Sequence, residues 1–227
     1  MGLYSVSIII FILSLIVQFI LKSRIEYFSR SYLSSGKTGA EIAEQMLNDN
    51  GIYDVKIVST DGFLTDYYNP VDRTVNLSPN IYNGSNVAAI AVAAHECGHA
   101  VQHARGYAFL QLRSAMVPML TISSKYMMWI IFLGIMMIRT SLVPLQIGIG
   151  LFALTTLFSF ITLPVEFNAS SRALSWIKNN RVLDFREYRQ ANEALTWAAM
   201  TYVLAAIGSL AELLRLISIL NNNRRND

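Results

Sequence analysis

The stretch "NVAAIAVAAHECGHAVQHARG", residues 86–106, holds all three histidines of the chain. Two of them, His95 and His99, are four residues apart, and Glu96 directly follows the first. The alanine-rich composition favours a helix, which we expect to be capped by Ser85 and to run to Gly106. Residues four apart lie on one face of a helix, so both imidazoles can reach the same point.

The composition of the chain is typical of a membrane protein. Hydrophobic residues make up 53% of the 227 residues and charged residues only 15%, whereas soluble domains carry about 25% charged residues. The net charge of +3 is spread along the chain, so nothing indicates a nucleic-acid surface. Cys97 is the single cysteine, which excludes an internal disulfide and favours a reducing compartment.

Four apolar stretches predict membrane helices, and they cover residues 3–21, 117–138, 142–163 and 194–220. The first is followed rather than preceded by basic residues, which indicates an uncleaved anchor instead of a signal peptide. The second and third are joined by a short connection and predict an antiparallel hairpin. The last carries Glu212 and Arg215, so it is either a fourth span or an interfacial helix.

Between the first two apolar stretches the sequence is that of a soluble domain. Thr38 and Glu41 form a capping box for a helix that ends at Asn50-Gly51. Residues 53–79 are rich in β-branched and aromatic side chains and are broken by Asp-Gly and Asn-Pro, which predicts two or three short strands.

The pattern from His95 to His99 suits a zinc ion. Zinc accepts imidazole nitrogens at about 2.0–2.1 Å, and Glu96, about 100° around the helix from His95, can reach a water on the metal. The alternative is an accidental pattern, for which we estimate roughly one chance in a thousand in so histidine-poor a chain. His103 lies about 12 Å along the helix from His95, so it is either exposed or placed beside His99 or Glu96.

Zinc catalysis needs a third protein ligand and an open position. A metzincin pattern would require glycine and histidine where Gln102 and Arg105 stand, so that class is excluded. Glu166 is the best remaining candidate, because the hairpin returns the chain to the same membrane face and Pro164 then ends or bends the span. An ordinary interfacial glutamate is the alternative.

Three stretches carry a family resemblance: "AAHECGHAVQH", "DYYNPVDRTVNLSPNIYNGSNVAAIAVAAHE" and "LPVEFNASSRAL". They resemble the YugP-type bacterial membrane zinc metallopeptidases, the neutral zinc metallopeptidase family, and more distantly HtpX and the CAAX prenyl proteases. The resemblance covers nearly the whole chain. It implies Zn²⁺ bound by His95, His99 and Glu166, with Glu96 as the catalytic base.

One position departs from the wider pattern. The HtpX-like proteins place an aspartate four residues after the third ligand, where this chain has Ser170. We expect Asn168 or Arg172 to support the site instead. Arg172 is also a candidate for stabilising the oxyanion, with solvent or a lipid phosphate as its alternative partner.

These signals predict an α+β membrane protein that is mostly helical, with about four transmembrane helices and a small gluzincin-like catalytic domain that contains a short β-sheet. The expected segments are a transmembrane anchor at 1–21, a cytoplasmic zincin-like domain at 22–115, a transmembrane hairpin at 116–164, a cytoplasmic helix with the third ligand at 165–193, a fourth transmembrane or interfacial helix at 194–221 and a polar tail at 222–227.

The predicted function is that of a membrane-embedded zinc endopeptidase of gluzincin type. It would cleave membrane-associated or cytoplasmic proteins or peptides, with quality control of membrane proteins as one candidate role. The rivals are a catalytically inactive scaffold and a metal-binding protein of the same fold. Basic residues beside the spans place the chain in the cell membrane with the site facing the cytoplasm. Its expected partners are substrates and the lipid bilayer, not nucleic acid, and the sequence indicates no oligomeric state.

Overall fold

The computed structural model describes residues 2–30, 33, 36–62 and 65–224, and the side chains of residues 2–4 and 224 lie outside that description. The elements in chain order are α1 (Gly2–Phe28), α2 (Gly39–Asp49), β1 (Lys56–Ser59), β2 (Tyr67–Asn69), β3 (Thr74–Leu77), α3 (Pro79–Tyr82), α4 (Val87–Ala104), α5 (Ala108–Met136), α6 (Val143–Asn179) and α7 (Phe185–Arg224). The predicted fold class is confirmed: the protein is mostly helical and has a small sheet.

The strands of the described residues form one sheet in the order β1-β3-β2. β1 runs parallel to β3, and β2 runs antiparallel to it. Val75 in the central strand pairs with Ile57 on one side and with Tyr68 on the other. The prediction of two or three short strands is therefore confirmed, with three.

The helix caps confirm one prediction and correct another. Thr38 and Glu41 form the expected capping box, and α2 ends before Asn50. At α4 the cap is Asn86 rather than Ser85, because the Asn86 side chain accepts a hydrogen bond from the Ala89 backbone at 2.9 Å. Asparagine caps helices at least as well as serine, and it stands three residues before that donor.

Pro164 does not end its helix. α6 continues through it to Asn179, so the helix expected to begin at 165 is the second part of α6. Proline removes only one backbone donor, and neighbouring contacts hold this turn: the Tyr107 hydroxyl donates to the Pro164 carbonyl at 3.4 Å. The real break lies at residues 180–184, where Arg181 has a positive φ of 51°.

The last helix is also longer than its apolar stretch. A reciprocal pair of hydrogen bonds between Asp184 and Glu187 caps its start, and α7 then runs as one element of 40 residues. The polar tail expected at 222–227 is helical as far as Arg224, and residues 225–227 lie outside the described residues. A change from polar to apolar composition marks a change of environment along a helix, not its end.

The described residues fall into two compact units. The first contains the described parts of 1–16, 111–163 and 201–227. In it α5 and α6 pack antiparallel at short range: a Cβ on Gly134 would lie 2.5 Å from the Leu145 backbone nitrogen, and one on Gly148 would lie 2.6 Å from the Ile131 side chain. In α7 of this unit, Arg215 forms a bidentate ion pair with Glu212.

The second unit contains the described parts of 17–110 and 164–200. Its core packs α2, the sheet, α4, the second part of α6 and the start of α7 around side chains such as Phe28, Ile42, Leu77, Ile90 and Ile177. α4 lies at its centre, with 14 of its 18 residues buried. The helix that carries both histidines is thus a rigid core element.

Four helices within the described part of the chain, α1, α5, α6 and α7, are long and apolar enough to cross a membrane. This agrees with the four apolar stretches of the sequence. α4 is not one of them, so the stretch with the two histidines belongs to the part of the fold that also holds the sheet.

Candidate metal centre

A close approach of α4 and α6 builds the centre. A Cβ added to Gly98 would lie only 2.6 Å from the backbone oxygen of Ala169, so the two helices touch backbone to backbone at this point. Ala169 and Ala173 are fully buried beside it. These small residues let α6 come near enough for Glu166 to face both histidines of α4.

The three predicted ligands converge on one point. Glu166 Oε2 lies 3.3 Å from His95 Nε2 and 3.6 Å from His99 Nε2, and the candidate ligand atoms of the three residues all lie within 4.8 Å of one another. Tetrahedral zinc with bonds of about 2.0–2.2 Å holds its ligand atoms roughly 3.3–3.6 Å apart. Two imidazoles and a carboxylate are also a donor set that zinc accepts, so the residues fit this metal.

The centre is sheltered but not closed. The Glu166 side chain is 3% exposed and that of His99 9%, whereas that of His95 is 12% exposed. His95 is therefore the most exposed of the three candidate ligands. Among the described residues the group supplies three protein ligands, as catalytic zinc sites do, whereas structural sites are closed by four.

Each imidazole uses its other nitrogen for a protein contact. His95 Nδ1 lies 3.1 Å from the Ser170 hydroxyl, and His99 Nδ1 lies 3.1 Å from Gln102 Oε1. Such contacts orient a histidine so that its Nε2 faces the metal. Sequence reasoning missed both partners, although Gln102 follows His99 by three residues and Ser170 follows Glu166 by four, spacings that share a helix face.

Glu96 lies beside the centre on the same helix. Its side chain is buried, and burial raises the pKa of its carboxyl group, while the nearby His95 and His99 act in the opposite direction. The carboxyl group therefore stands next to the converging ligands in a water-poor setting.

His103 is not part of the group of three. It is half-buried, and its Nδ1 lies 2.7 Å from the Tyr68 hydroxyl of β2. It therefore connects the sheet to α4, one helical turn beyond His99. The sequence left two alternatives for His103, an exposed position or a place beside His99 or Glu96. The residue is half-buried, and its described contact is with Tyr68.

Asn168 and Arg172 reach the centre through Gln102. The Gln102 side-chain nitrogen donates to Asn168 Oδ1 at 3.0 Å and to the Val165 carbonyl at 2.8 Å. Arg172 Nε donates to the same Asn168 oxygen at 2.7 Å. Among the described contacts, none brings Arg172 to the ligand atoms.

Two comparisons with known proteins agree with this geometry. A family model described as "Putative neutral zinc metallopeptidase" matches residues 3–221. "Putative membrane protease YugP" of Bacillus subtilis (strain 168) is 45% identical over 212 residues, which cover 93% of this chain and 93% of that protein. No solved structure matches the chain. Both matches extend through the apolar helices as well as the metal centre.

Proposed function

The chain belongs to the neutral zinc metallopeptidase family, and from this premise we propose that it is a membrane-embedded zinc endopeptidase of gluzincin type. The observation that supports this most is the convergence of His95, His99 and Glu166 beside the buried carboxyl group of Glu96. Its substrates would be membrane-associated or cytoplasmic proteins, and quality control of membrane proteins is a role that suits them.

His95 and His99 would hold the zinc ion through Nε2, and Glu166 through its carboxylate. When bound, zinc supplies a Lewis acid that polarises the scissile carbonyl and makes water acidic enough to attack near neutral pH. The chain's own contribution is to hold three ligands on two packed helices, which would leave a fourth position for water.

Glu96 would act as general base and then as general acid. It would take a proton from the attacking water and deliver it to the nitrogen of the scissile peptide bond. The C–N bond can then break with a neutral amine as the leaving group instead of an amide anion. A carboxyl group whose pKa burial raises above its ordinary value gives up a bound proton less readily as an acid but accepts one more readily as a base, which suits the first transfer.

The sheet offers a place for an extended substrate. In the sheet that the described residues form, β2 is an edge strand, and the hydrogen bond between Tyr68 and His103 fixes it beside the metal helix. A peptide that adds to this edge would be held by main-chain hydrogen bonds, with little dependence on its sequence. This supports an endopeptidase that accepts unfolded segments.

We also propose that the centre faces the cytoplasm. Basic residues follow the first apolar stretch, and others lie just before the hairpin and just after it. The connection between α5 and α6, at the other end of the hairpin, carries Arg139 alone. An excess of lysine and arginine marks cytoplasmic loops. The second unit would then meet its substrates on the inner face of the membrane.

Glu96→Gln tests the proposed activity. The variant keeps the size of the side chain but cannot accept a proton, so cleavage of an unfolded protein should fall by about 10²–10⁴-fold. Its zinc content and unfolding temperature should match those of the wild type. Glu44→Gln, on the exposed face of α2, is the matched control and should cleave normally.

Turnover by Glu96→Gln within about tenfold of the wild-type rate would contradict the role of Glu96. A wild-type protein that holds zinc but cleaves no unfolded or membrane-associated protein would instead favour the inactive scaffold.

A further inference from the structure

We propose that Gln102 is a positioning residue that fixes which nitrogen of His99 carries the proton, and that Asn168 and Arg172 hold Gln102 in the required orientation. The proposal rests on the proposed function, because the choice of nitrogen matters only if His99 binds a metal. It concerns a side chain that is completely buried and makes three hydrogen bonds to groups around the centre.

The orientation of the Gln102 amide follows from a hydrogen-bond partner that can only accept. The oxygen and nitrogen of an amide side chain can be exchanged unless the hydrogen bonds decide between them. The Val165 backbone carbonyl can only accept, and it lies 2.8 Å from one end of the Gln102 amide. That end must therefore be the nitrogen, and the oxygen must face His99.

A second one-way partner leads independently to the same orientation. Arg172 Nε can only donate, so the Asn168 atom at 2.7 Å from it must be the oxygen. The same Asn168 oxygen lies 3.0 Å from Gln102 and can accept only from the amide nitrogen. The Val165 carbonyl and the Arg172 guanidinium therefore require the same orientation of the Gln102 amide, with its oxygen toward His99.

The consequence for His99 is definite. Gln102 Oε1, 3.1 Å from His99 Nδ1, has no proton to give, so Nδ1 must carry the proton. In the neutral imidazole, which is the form that binds a metal, the lone pair is then on Nε2, the nitrogen that faces Glu166 at 3.6 Å. His95 differs, because its Nδ1 contacts the Ser170 hydroxyl, which can donate or accept. Only His99 is set in advance for the metal.

The same amide also links the two helices that carry the ligands. Its nitrogen binds the carbonyl of Val165, the residue directly before Glu166. If Gln102 served only to hold the two helices together, its side-chain N–H donors would be the groups that matter. If it determines which nitrogen of His99 is protonated, its oxygen acceptor is the group that matters. Two substitutions separate the two effects: Gln102→Leu removes donor and acceptor together, and Gln102→Glu keeps an acceptor toward His99 while losing both donors.

The test measures zinc affinity of the purified full-length protein by competition with a chelator. Gln102→Leu should weaken zinc binding by about 10–100-fold, the usual loss when the hydrogen-bond partner of a ligating histidine is removed. Gln102→Glu should stay within about threefold of the wild type, because a carboxylate accepts the same proton from His99 Nδ1 through a charge-assisted hydrogen bond. Gln45→Leu, in α2, is the matched control and should bind normally.

Two results would overturn the proposal. One is a Gln102→Leu protein that binds zinc as tightly as the wild type. The other is a Gln102→Glu protein whose zinc affinity falls as much as that of Gln102→Leu. That result would mean that Gln102 acts through its hydrogen bond to the Val165 carbonyl in α6. If Gln102→Leu does not fold, Gln102→Met provides the second variant: it keeps the length of the side chain but has no amide, so it should weaken zinc binding by about 10-fold or more, and unchanged affinity would overturn the proposal. A wild-type protein that binds no zinc would instead contradict the proposed function itself.

Discussion

The position of Glu166 is well explained by a metal. Its carboxylate is buried in α6, and its Oε2 lies 3.3 Å from His95 Nε2 and 3.6 Å from His99 Nε2. Burial of a carboxylate is costly unless positive charge or several donors surround it. If His95 and His99 present their Nε2 lone pairs toward it, a divalent cation between the three groups supplies that charge.

Glu166→Gln tests this at the residue scale. The amide keeps the shape of the side chain but brings no negative charge, so zinc should be bound far more weakly than by the wild type. Because a ligand present at about 100 times its Kd adds about 2.7 kcal/mol to the stability of the folded state, a chelator should lower the unfolding temperature of the wild type. It should leave that of the variant unchanged. Equal zinc content in the two proteins would exclude Glu166 as a ligand.

The residue spacing could predict His95, Glu96 and His99 as candidates, because their relation is local to one helix. Glu166 needed the return of the chain through a hairpin. Gln102 lies three residues after His99 on the same helix, so its spacing carried a usable signal. Ser170 could not be recognised as the partner of His95, since that contact depends on how closely α6 approaches α4. That distance is set by packing around Gly98 and Ala169, which periodicity does not report.

At the scale of elements, the contact between α4 and α6 determines whether a site exists. The caps and strands could largely be predicted from the sequence because capping boxes and turn residues act locally. The continuation of α6 through Pro164 could not, since one missing hydrogen bond is outweighed by contacts from residues distant in sequence. Because Glu166 lies in the part of α6 that touches α4, movement of this contact would move Glu166.

Gly98→Ala tests this contact. The new Cβ would meet the Ala169 carbonyl at 2.6 Å, and backbone cannot rotate away as a side chain can. We expect a loss of about 1–3 kcal/mol in stability, together with weaker zinc binding because the helices separate. Unfolding temperature and chelator competition measure the two effects.

Gly150→Ala is the matched control for this substitution. Gly150 is also inside a helix, but a Cβ there has no atom within 4 Å. This variant should bind zinc normally and be unchanged or up to about 1 kcal/mol more stable. If Gly98→Ala behaved like Gly150→Ala, the close approach of the helices would not be what aligns the ligands.

At the scale of the whole molecule, the helices are longer than a bilayer requires. α6 has 37 residues, which is about 55 Å of helix, against a hydrocarbon thickness of about 30 Å. The part of α6 before Pro164 carries no charged residue, whereas the part after it carries Glu166, Arg172 and Lys178. We therefore expect the part from Glu166 onward to extend past the membrane on the same side as α4.

Labelling of single cysteines in intact cells tests this topology. In a Cys97→Ser background, cysteines at Glu44 and Asn179 should be protected from an impermeant maleimide until the cells are opened. A cysteine at Thr140, exposed in the connection between α5 and α6, should react at once. Reaction of the Asn179 position in intact cells, with Glu44 protected, would place the two parts of the site on opposite sides of the membrane.

The most direct test of the metal centre is a structure of the active, zinc-loaded protein with anomalous data recorded at the zinc absorption edge. We predict one strong peak between α4 and α6, bonded to His95 Nε2, His99 Nε2 and the Glu166 carboxylate, with Glu96 beside the remaining open position. A zinc ion bound by other side chains, or a fully active preparation with no zinc between α4 and α6, would contradict it.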